Sequence, residues 1–206
     1  MATITISRHF GAGGATLGAR LAKALGYRYV DDDLIKEVAR KTGVAASQVR
    51  RVEKAGTSKL MKLLDWIVSP DFIERHVSEK ARLTEERYVE EVKEILYNLH
   101  KEGNVVIIGR GGNYALRGYP GTLHVLLVAD MVHRVQFLRQ KYSITEHDAE
   151  LAAKRADMIR TRFLNCFSPQ GFHDDPLLYT VALNMNDITV AKAEEILVSL
   201  ALGMEQ

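Results

Sequence analysis

The sequence predicts an α/β protein in which five parallel strands and their flanking helices form three layers. Strand-like and helix-like segments alternate along the chain. Several of the strand-like segments are continuous apolar runs, as expected of strands buried on both faces of a parallel sheet. A glycine-rich turn also follows the first predicted strand and opens a helix, which is typical of a phosphate-binding turn. The length of 206 residues suits one domain, 1–206, with a sizeable core.

The N-terminal part begins with a strand, a turn and a helix. Hydrophobic periodicity predicts, in order, a strand over 3–6, a glycine-rich turn over 7–18, a helix over 19–25 and a strand over 27–30. The second strand leads directly into three aspartates, 31–33. Residues 34–84 are helical in composition but are interrupted by glycine and proline, so we expect a helical insertion there.

The C-terminal part alternates helices and strands again. The predicted elements are a helix over 85–101, strands over 105–108 and 123–129, helices over 131–142 and 145–163, a strand over 179–183 and a helix over 189–202. Asp130 is expected to cap the helix that follows it. Thr145, with Asp148 three residues later, resembles a capping box at the start of the next helix.

Composition and charge exclude several classes of protein. A formal net charge of +2 argues against a nucleic-acid binder that depends on a large basic surface. The single cysteine, Cys166, fits a reducing compartment and excludes a cysteine-based zinc cluster. No apolar stretch approaches about 20 residues, and no signal-peptide segment is evident. We therefore expect a cytoplasmic protein with no nucleic-acid or membrane partner, whose oligomeric state is open, a homodimer included.

The glycine-rich turn follows the P-loop pattern G-x-x-x-x-G-K-[ST] only in part. When Gly13 is taken as the second glycine, Arg8 stands at the first glycine, Gly14 at the lysine and Ala15 at the hydroxyl residue. Thr16 comes next. The turn can therefore present backbone N–H groups to an anion, but it lacks the usual lysine. An ordinary turn between a strand and a helix is the alternative.

Polar residues and glycines collect where the predicted strands end. Parallel strands place their carboxyl ends at one edge of the sheet, where ligands bind in open α/β folds. Arg110 lies between glycines directly after a buried strand, which suits a fixed guanidinium that binds phosphate through two donors. Its alternative role is to cap the sheet edge and pair with an acidic residue.

A basic cluster lies on the long helix over 145–163. Its charged members are Lys154, Arg155, Asp157, Arg160 and Arg162. Asp157 and Arg160 share a helix face, and a surface ion pair between them is one interpretation. The other is a mobile lid, over about 143–170, that carries arginines to a phosphoryl group and excludes water.

These motifs together resemble the cytidylate kinase-like family of P-loop proteins, relatives of the nucleoside monophosphate kinases. The segments that carry the resemblance are ISRHFGAGGATLGARLAKALGY (6–27), DDDLI (31–35), VVIIGRGGNYALR (105–117), LHVLLVA (123–129), DMIRTRF (157–163) and LYTVALN (178–184). The resemblance implies a P-loop NTPase-type fold with a helical acceptor-binding insertion and a helical lid. It also implies ATP as co-substrate and Mg²⁺ as cofactor.

The resemblance also implies site residues. Those expected at the ATP phosphates are Gly11, Ala12, Gly13, Gly14, Ala15 and Thr16. Those expected at the acceptor are Asp31, Asp32, Arg110 and Asp157. The expected catalytic cations are Arg8, as a substitute for the lysine, and Arg160 and Arg162 from the lid. Thr16 is the candidate for the metal shell, directly or through water.

Three departures from the better-known cytidylate kinases leave the acceptor open. Gly14 replaces the P-loop lysine, Gly111 replaces an acidic residue and Ala153 replaces an arginine. The leading hypothesis is transfer of the ATP γ-phosphoryl group to a nucleoside monophosphate such as CMP or dCMP. The alternatives are a nucleotide-binding regulatory module with little or no turnover and a kinase for another small acceptor. No histidine shows metal-ligand spacing, and residues 173–175 are expected in a solvated loop.

Overall fold

Five parallel strands form one sheet in the order β2-β3-β1-β4-β5. The computed structural model describes residues 2–31, 79–169 and 171–204, with side chains from residue 89 onward in the second range. The strands are β1 (Thr3–Arg8), β2 (Arg28–Val30), β3 (Val105–Ile108), β4 (Thr122–Val128) and β5 (Val181–Asn184). The predicted five-stranded parallel sheet is confirmed.

Helices connect the strands in the predicted alternation. They are α1 (Gly14–Leu25), α2 (Glu79–Glu102), α3 (Gly112–Ala115), α4 (Met131–Tyr142), α5 (Glu146–Asn165) and α6 (Val190–Gly203), and a 3₁₀ turn covers Pro176–Leu178. The expected helix caps are present, since Asp130 accepts from the His133 N–H at 2.7 Å and Thr145 from the Asp148 N–H at 3.1 Å. None of the helices in the described ranges is long and apolar enough to span a bilayer.

Two helices begin five or more residues before their predicted starts, and one short helix was not predicted. α1 begins at Gly14 because the left-handed Gly13 ends the turn there, five residues before the predicted start. α2 begins at Glu79, before the predicted start at residue 85, and only residues 79–84 of the predicted insertion are described. The remainder of the insertion, 34–78, lies outside the described residues. The short helix α3 was not predicted, because a single helical turn has no periodicity.

The sheet is buried on both faces, which gives the three layers. Ile4, Ile6 and Val106 pack against α1 and α6 on one side. Val105 and Ile107, from alternate positions of β3, pack against α2 on the other. The central strand β1 therefore has no solvent-facing side.

The threonines of β1 are buried in spite of their polarity. Thr3 and Thr5 are each 1% exposed. Thr5 Oγ1 lies 2.7 Å from His124 Nδ1, and Thr3 Oγ1 lies 3.1 Å from His100 Nδ1. Hydrogen bonds to these histidines offset the loss of water, so an alternating sequence pattern here marks a fully buried strand rather than a half-exposed one.

The topology places the end of β1 at the centre of the carboxyl edge. β1 lies between β3 and β4, and the chain moves to opposite sides of it in the two halves of the sheet. Such a reversal of strand order opens a crevice at the carboxyl ends. The glycine-rich turn after β1 and the turn after β3 both open into this crevice.

We expect Gly18→Ala to destabilise the fold. A Cβ at Gly18 would collide with the Ile108 side chain, and Ile108 is fully buried, so it has little room to move. Overpacking of this kind costs about 1–3 kcal/mol. Gly203→Ala is the matched control, because nothing lies within 4 Å of a Cβ there. Chemical denaturation should show a loss for Gly18→Ala and no loss for Gly203→Ala; equal stabilities would contradict the packing argument.

Candidate phosphate-binding site

The glycine-rich turn exposes the start of α1 to the crevice. Gly11 and Gly13 have φ of 94° and 81°, in the left-handed region that favours glycine. Leu17 donates the first backbone hydrogen bond of α1, to Gly13 O at 2.9 Å, and no side chain caps the helix. The N–H groups of Gly14, Ala15 and Thr16 therefore lie in the open first turn, where the helix dipole favours an anion.

Arg8 fills the space that the P-loop lysine would need. A Cβ built on Gly14 would lie 2.8 Å from Arg8 Cγ and 3.1 Å from Arg8 Cβ. The stem of Arg8 thus crosses directly over Gly14 and continues to Gly109, whose Cβ would collide with the guanidinium. Gly14 has no positive φ, so this close approach, rather than backbone conformation, is what requires a glycine at position 14.

Arg8 lies within a group of three arginines. Burial lowers the pKa of its guanidinium, and the charges of Arg110 and Arg160 lower it further, while Asp31 opposes them. Asp31 accepts a hydrogen bond from Tyr29 Oη at 3.1 Å. Three guanidinium groups thus lie at one edge of the sheet, at the ends of β1 and β3, and the carboxylates of Asp31 and Asp174 lie beside them.

Arg110 occupies an unusual turn. Gly109, Arg110 and Gly111 have φ of 69°, 60° and 65°, so three consecutive residues are left-handed. For an arginine this conformation costs on the order of 1–3 kcal/mol, and strained residues of this kind cluster at ligand sites. A Cβ at Gly111 would lie 2.6 Å from the Phe167 ring. The phenyl ring therefore explains why no acidic residue stands at position 111.

Arg160 reaches the end of β1 from α5, the helix for which the sequence predicts a lid. Its Nη2 lies 2.7 Å from Asp174 Oδ1 and donates to Ser7 Oγ at 3.1 Å. His9 Nε2, from the glycine-rich turn, lies 3.1 Å from Asp174 Oδ2. Burial alone would raise the pKa of Asp174, but the hydrogen bond from His9 and the charge of Arg160 outweigh it and hold the pKa at about 2.

Asp157 pairs with a different arginine from the one expected. Arg134, on α4 and 4% exposed, donates from Nη1 and Nη2 to the two carboxylate oxygens of Asp157 at 2.9 and 2.7 Å. The pair between Asp157 and Arg160 is therefore not formed. The carboxylate that was expected at the acceptor instead ties α5 to α4.

One predicted residue, Arg162, is not brought to this group. Arg162 is exposed, because two residues along a helix correspond to a rotation of about 200° away from Arg160. Asp32 lies outside the described residues. Ala12 is buried below the turn, and Ala15 lines the pocket with Gly11, Gly13 and Gly14.

The residues at the turn do not fit a protein-bound Mg²⁺ in this arrangement. Ala15 has no hydroxyl, and the Thr16 hydroxyl accepts a hydrogen bond from Lys141 Nζ at 3.0 Å. An ammonium group at that oxygen repels a second cation. Across the described ranges, no group of three acidic, histidine or cysteine side chains could hold a metal ion.

The expectation that residues 173–175 form a solvated loop is wrong for two of the three. His173 is 5% exposed: its Nδ1 lies 2.7 Å from Tyr114 Oη and its Nε2 lies 2.8 Å from Asn165 Oδ1. Asp174 bridges His9 and Arg160. No local sequence pattern signals these contacts, because Asp174 meets His9 from the distant glycine-rich turn and Arg160 from another element, α5.

The fold and the glycine-rich turn define an α/β protein of the P-loop kinase type. Residues 3–187 match the sequence model of the cytidylate kinase-like family, and the chain belongs to that family. The predicted resemblance and the predicted P-loop NTPase-type fold are thereby confirmed. Membership in this family assigns the chain to the kinases that act on small molecules. No curated protein matches the chain.

Solved structures support the fold. An uncharacterized protein from Eubacterium ventriosum has a TM-score of 0.67 at 17% identity, with 98% of each chain covered. A shikimate kinase from Bacteroides thetaiotaomicron has a TM-score of 0.51 at 16% identity, with 97% of each chain covered. A gluconokinase from Sinorhizobium meliloti has a TM-score of 0.51 at 14% identity, covering 99% of this chain and 95% of the other. Identities this low show a shared fold and nothing about substrate.

Asp174 should stabilise the protein in a pH-dependent way. Because its pKa is about 2 in the folded state and 3.8 ordinarily, its contribution is present above about pH 4 and is lost as the pH falls towards 2. We expect Asp174→Asn to lower the free energy of unfolding by about 1–2 kcal/mol at pH 7, after allowance for solvent screening. The difference from the wild type should shrink steeply as the pH falls from 4 towards 2 in denaturation curves.

Asp175→Asn is the control, since asparagine can keep the cap that Asp175 provides to the Leu177 N–H at 2.9 Å. A stability difference for Asp174→Asn that does not change between pH 7 and pH 2 would show that its charge is not responsible.

Proposed function

We propose that this protein transfers the γ-phosphoryl group of ATP to a nucleoside monophosphate, with CMP and dCMP as the first candidates. The observation that carries the proposal is that the stem of Arg8 lies over Gly14. Arg8 therefore supplies a cation beside a turn that lacks the P-loop lysine. ATP phosphates would bind at the open first turn of α1, and the acceptor phosphate would bind at Arg110.

The three arginines would supply the charge that this chemistry needs. Phosphoryl transfer depends on positioning and on neutralising the charge of the transferred group more than on covalent catalysis. The stem of Arg8 lies against Gly14 and its guanidinium lies against Gly109, the residue before Arg110, so Arg8 would contact the phosphoryl group during its transfer. Arg160, held at the end of β1 by Ser7 and Asp174, would contact the same group from the lid. The role of Mg²⁺ remains a prediction from the family resemblance.

Asp157 has a positioning role in this proposal. Its bidentate contact with the buried Arg134 joins the lid helix α5 to α4, and Arg134 Nε also donates to Phe10 O in the glycine-rich turn at 2.7 Å. The pair would therefore fix the lid relative to the ATP site instead of touching the acceptor.

A kinase screen against all ribo- and deoxyribonucleoside monophosphates tests the proposal. Shikimate and gluconate should be included, because kinases of similar fold carry those names. Formation of a nucleoside diphosphate is the expected result. Phosphorylation of a hydroxyl acceptor instead would identify a kinase of another class, and tight ATP binding without any acceptor would favour the regulatory module.

Restoring the P-loop pattern should work only as a double substitution. Gly14→Lys alone places a side chain against the stem of Arg8, and Arg8→Gly alone removes the cation, so each should lower kcat/KM by tenfold or more. Arg8→Gly with Gly14→Lys recreates G-x-x-x-x-G-K and should recover much of that loss. Steady-state kinetics of the four proteins form a double-mutant cycle. Additive losses would show that the two positions do not share one role.

Arg110 should bind the acceptor rather than ATP. Arg110→Ala should raise the acceptor KM or lower its kcat/KM by at least tenfold and leave ATP affinity nearly unchanged. Arg110→Lys should rescue poorly, because an ammonium group lacks the bidentate guanidinium geometry. The exposed Arg117 of the same segment provides the control, Arg117→Ala. Equal losses for ATP and acceptor, with a fall in melting temperature, would instead indicate a structural ion pair.

A further inference from the structure

Lys141, in the last turn of α4, reaches across to the glycine-rich turn. Its Nζ donates to Thr16 Oγ1 at 3.0 Å, and Thr16 is the third residue of α1. Lys141 lines the same pocket as Gly13, Gly14 and Ala15. A residue 125 positions further along the chain thus brings an ammonium group to the open first turn of a helix.

The charge of Lys141 is poorly compensated. Burial lowers the pKa of its ammonium group, and within the described residues no carboxylate forms an ion pair with it. Its other neighbours are the rings of Phe137 and Tyr142, with Nζ at 5.5 and 5.7 Å from their centroids. Rings and a hydroxyl solvate an ammonium group less well than an anion does.

Three sources of positive potential therefore surround one pocket. They are the ammonium of Lys141, the N-terminal end of the α1 dipole and the guanidinium of Arg8, which also lines the pocket. Cations that line the same pocket repel one another unless an anion lies between them. The pocket wall contains no acidic side chain among its lining residues.

We propose that Lys141 is a phosphate-binding residue of the glycine-rich turn and contacts the polyphosphate chain of the donor nucleotide next to Thr16. That the donor is a nucleotide rests on the proposed function. That the pocket binds a polyanion rests on the residues that line it. The positive charge that the P-loop motif supplies from one lysine is then divided in this chain between Arg8, at the end of β1, and Lys141, at the end of α4. Thr16 positions Lys141 and does not bind a metal.

The competing role for Lys141 is purely local. A lysine in the last turn of a helix interacts favourably with the helix dipole, and the stem of Lys141 packs on aromatic rings. That role predicts a loss of stability in the unliganded protein when the cation is removed. A ligand-binding role predicts no such loss, because Lys141 is exposed and forms no ion pair with a carboxylate of the described residues.

The test uses Lys141→Met, which keeps an apolar side chain of similar length against Phe137 and Tyr142. Calorimetry with sodium tripolyphosphate, ATP and adenosine should show about tenfold or greater weakening for the two polyphosphates and no change for adenosine. The melting temperature of the unliganded variant should be equal to or higher than that of the wild type. Arg139→Met is the matched control in the same helical turn, since Arg139 is paired with Glu146 at 3.0 Å on the surface.

Each outcome decides one of the two proposals. Unchanged tripolyphosphate and ATP affinity in Lys141→Met, with wild-type turnover, would overturn the role of Lys141 and leave the kinase proposal standing. A lower melting temperature with unchanged polyphosphate affinity would assign Lys141 the local role instead. If the wild type phosphorylates no acceptor, and Lys141→Met loses tripolyphosphate binding, the kinase proposal is overturned and the phosphate-binding role of Lys141 is supported. A wild type that does not bind tripolyphosphate would overturn both.

Discussion

The buried guanidinium of Arg134 connects the parts of the site that would otherwise be independent. Its Nε donates to Phe10 O in the glycine-rich turn, and its terminal nitrogens donate to Asp157 on α5. The backbone of Gly11 approaches so closely that a Cβ there would lie 2.9 Å from Arg134 Cβ. Breaking such a buried contact on one side leaves an uncompensated charge, which typically costs several kcal/mol. The turn, α4 and the lid helix are therefore held as one unit.

This unit also determines where positive charge lies in the crevice. Because α4 is fixed against the glycine-rich turn at Arg134, its last turn reaches the start of α1 and Lys141 meets Thr16. Because α5 is fixed to α4 by Asp157, Arg160 one turn later reaches Ser7 at the end of β1. The sheet, in turn, provides Arg8 and Arg110 from neighbouring strands. Charge in this protein is thus placed by tertiary packing rather than by one contiguous motif.

Local sequence signals predicted the fold well and the site in part. The apolar runs of β3 and β4 identified buried strands, and Asp130 and Thr145 were correct caps because capping depends on residues three positions apart. The glycines beside Arg110 indicated a special turn, and the structure shows why they are needed. The ion pair between Arg134 and Asp157 joins two helices whose relative placement no local pattern specifies.

Other parts of the site were beyond sequence reasoning for similar physical reasons. Asp174 meets His9 across 165 residues and Arg160 from a different element, so neither the spacing nor the composition of its loop identifies these partners. The polar threonines of β1 gave the pattern of a half-exposed strand, because the histidines that satisfy them come from distant elements. The position of Arg8 in the sequence was enough to make it a candidate cation. Its contact with Gly14 depends on tertiary packing and could not be predicted from the sequence.

The contact between Arg160 and Asp174 means that the lid arginine is already bound to an anion of the protein's own. An incoming phosphate must compete with this carboxylate for Arg160. The observed binding free energy of the phosphate is therefore smaller than its intrinsic value by the cost of separating Arg160 from Asp174. A ligand that takes Arg160 leaves the Asp174 carboxylate with His9, in the glycine-rich turn, as its remaining ion-pair partner among the described residues. The same competition favours release afterwards, because Asp174 remains beside the guanidinium and can recapture it as the product leaves.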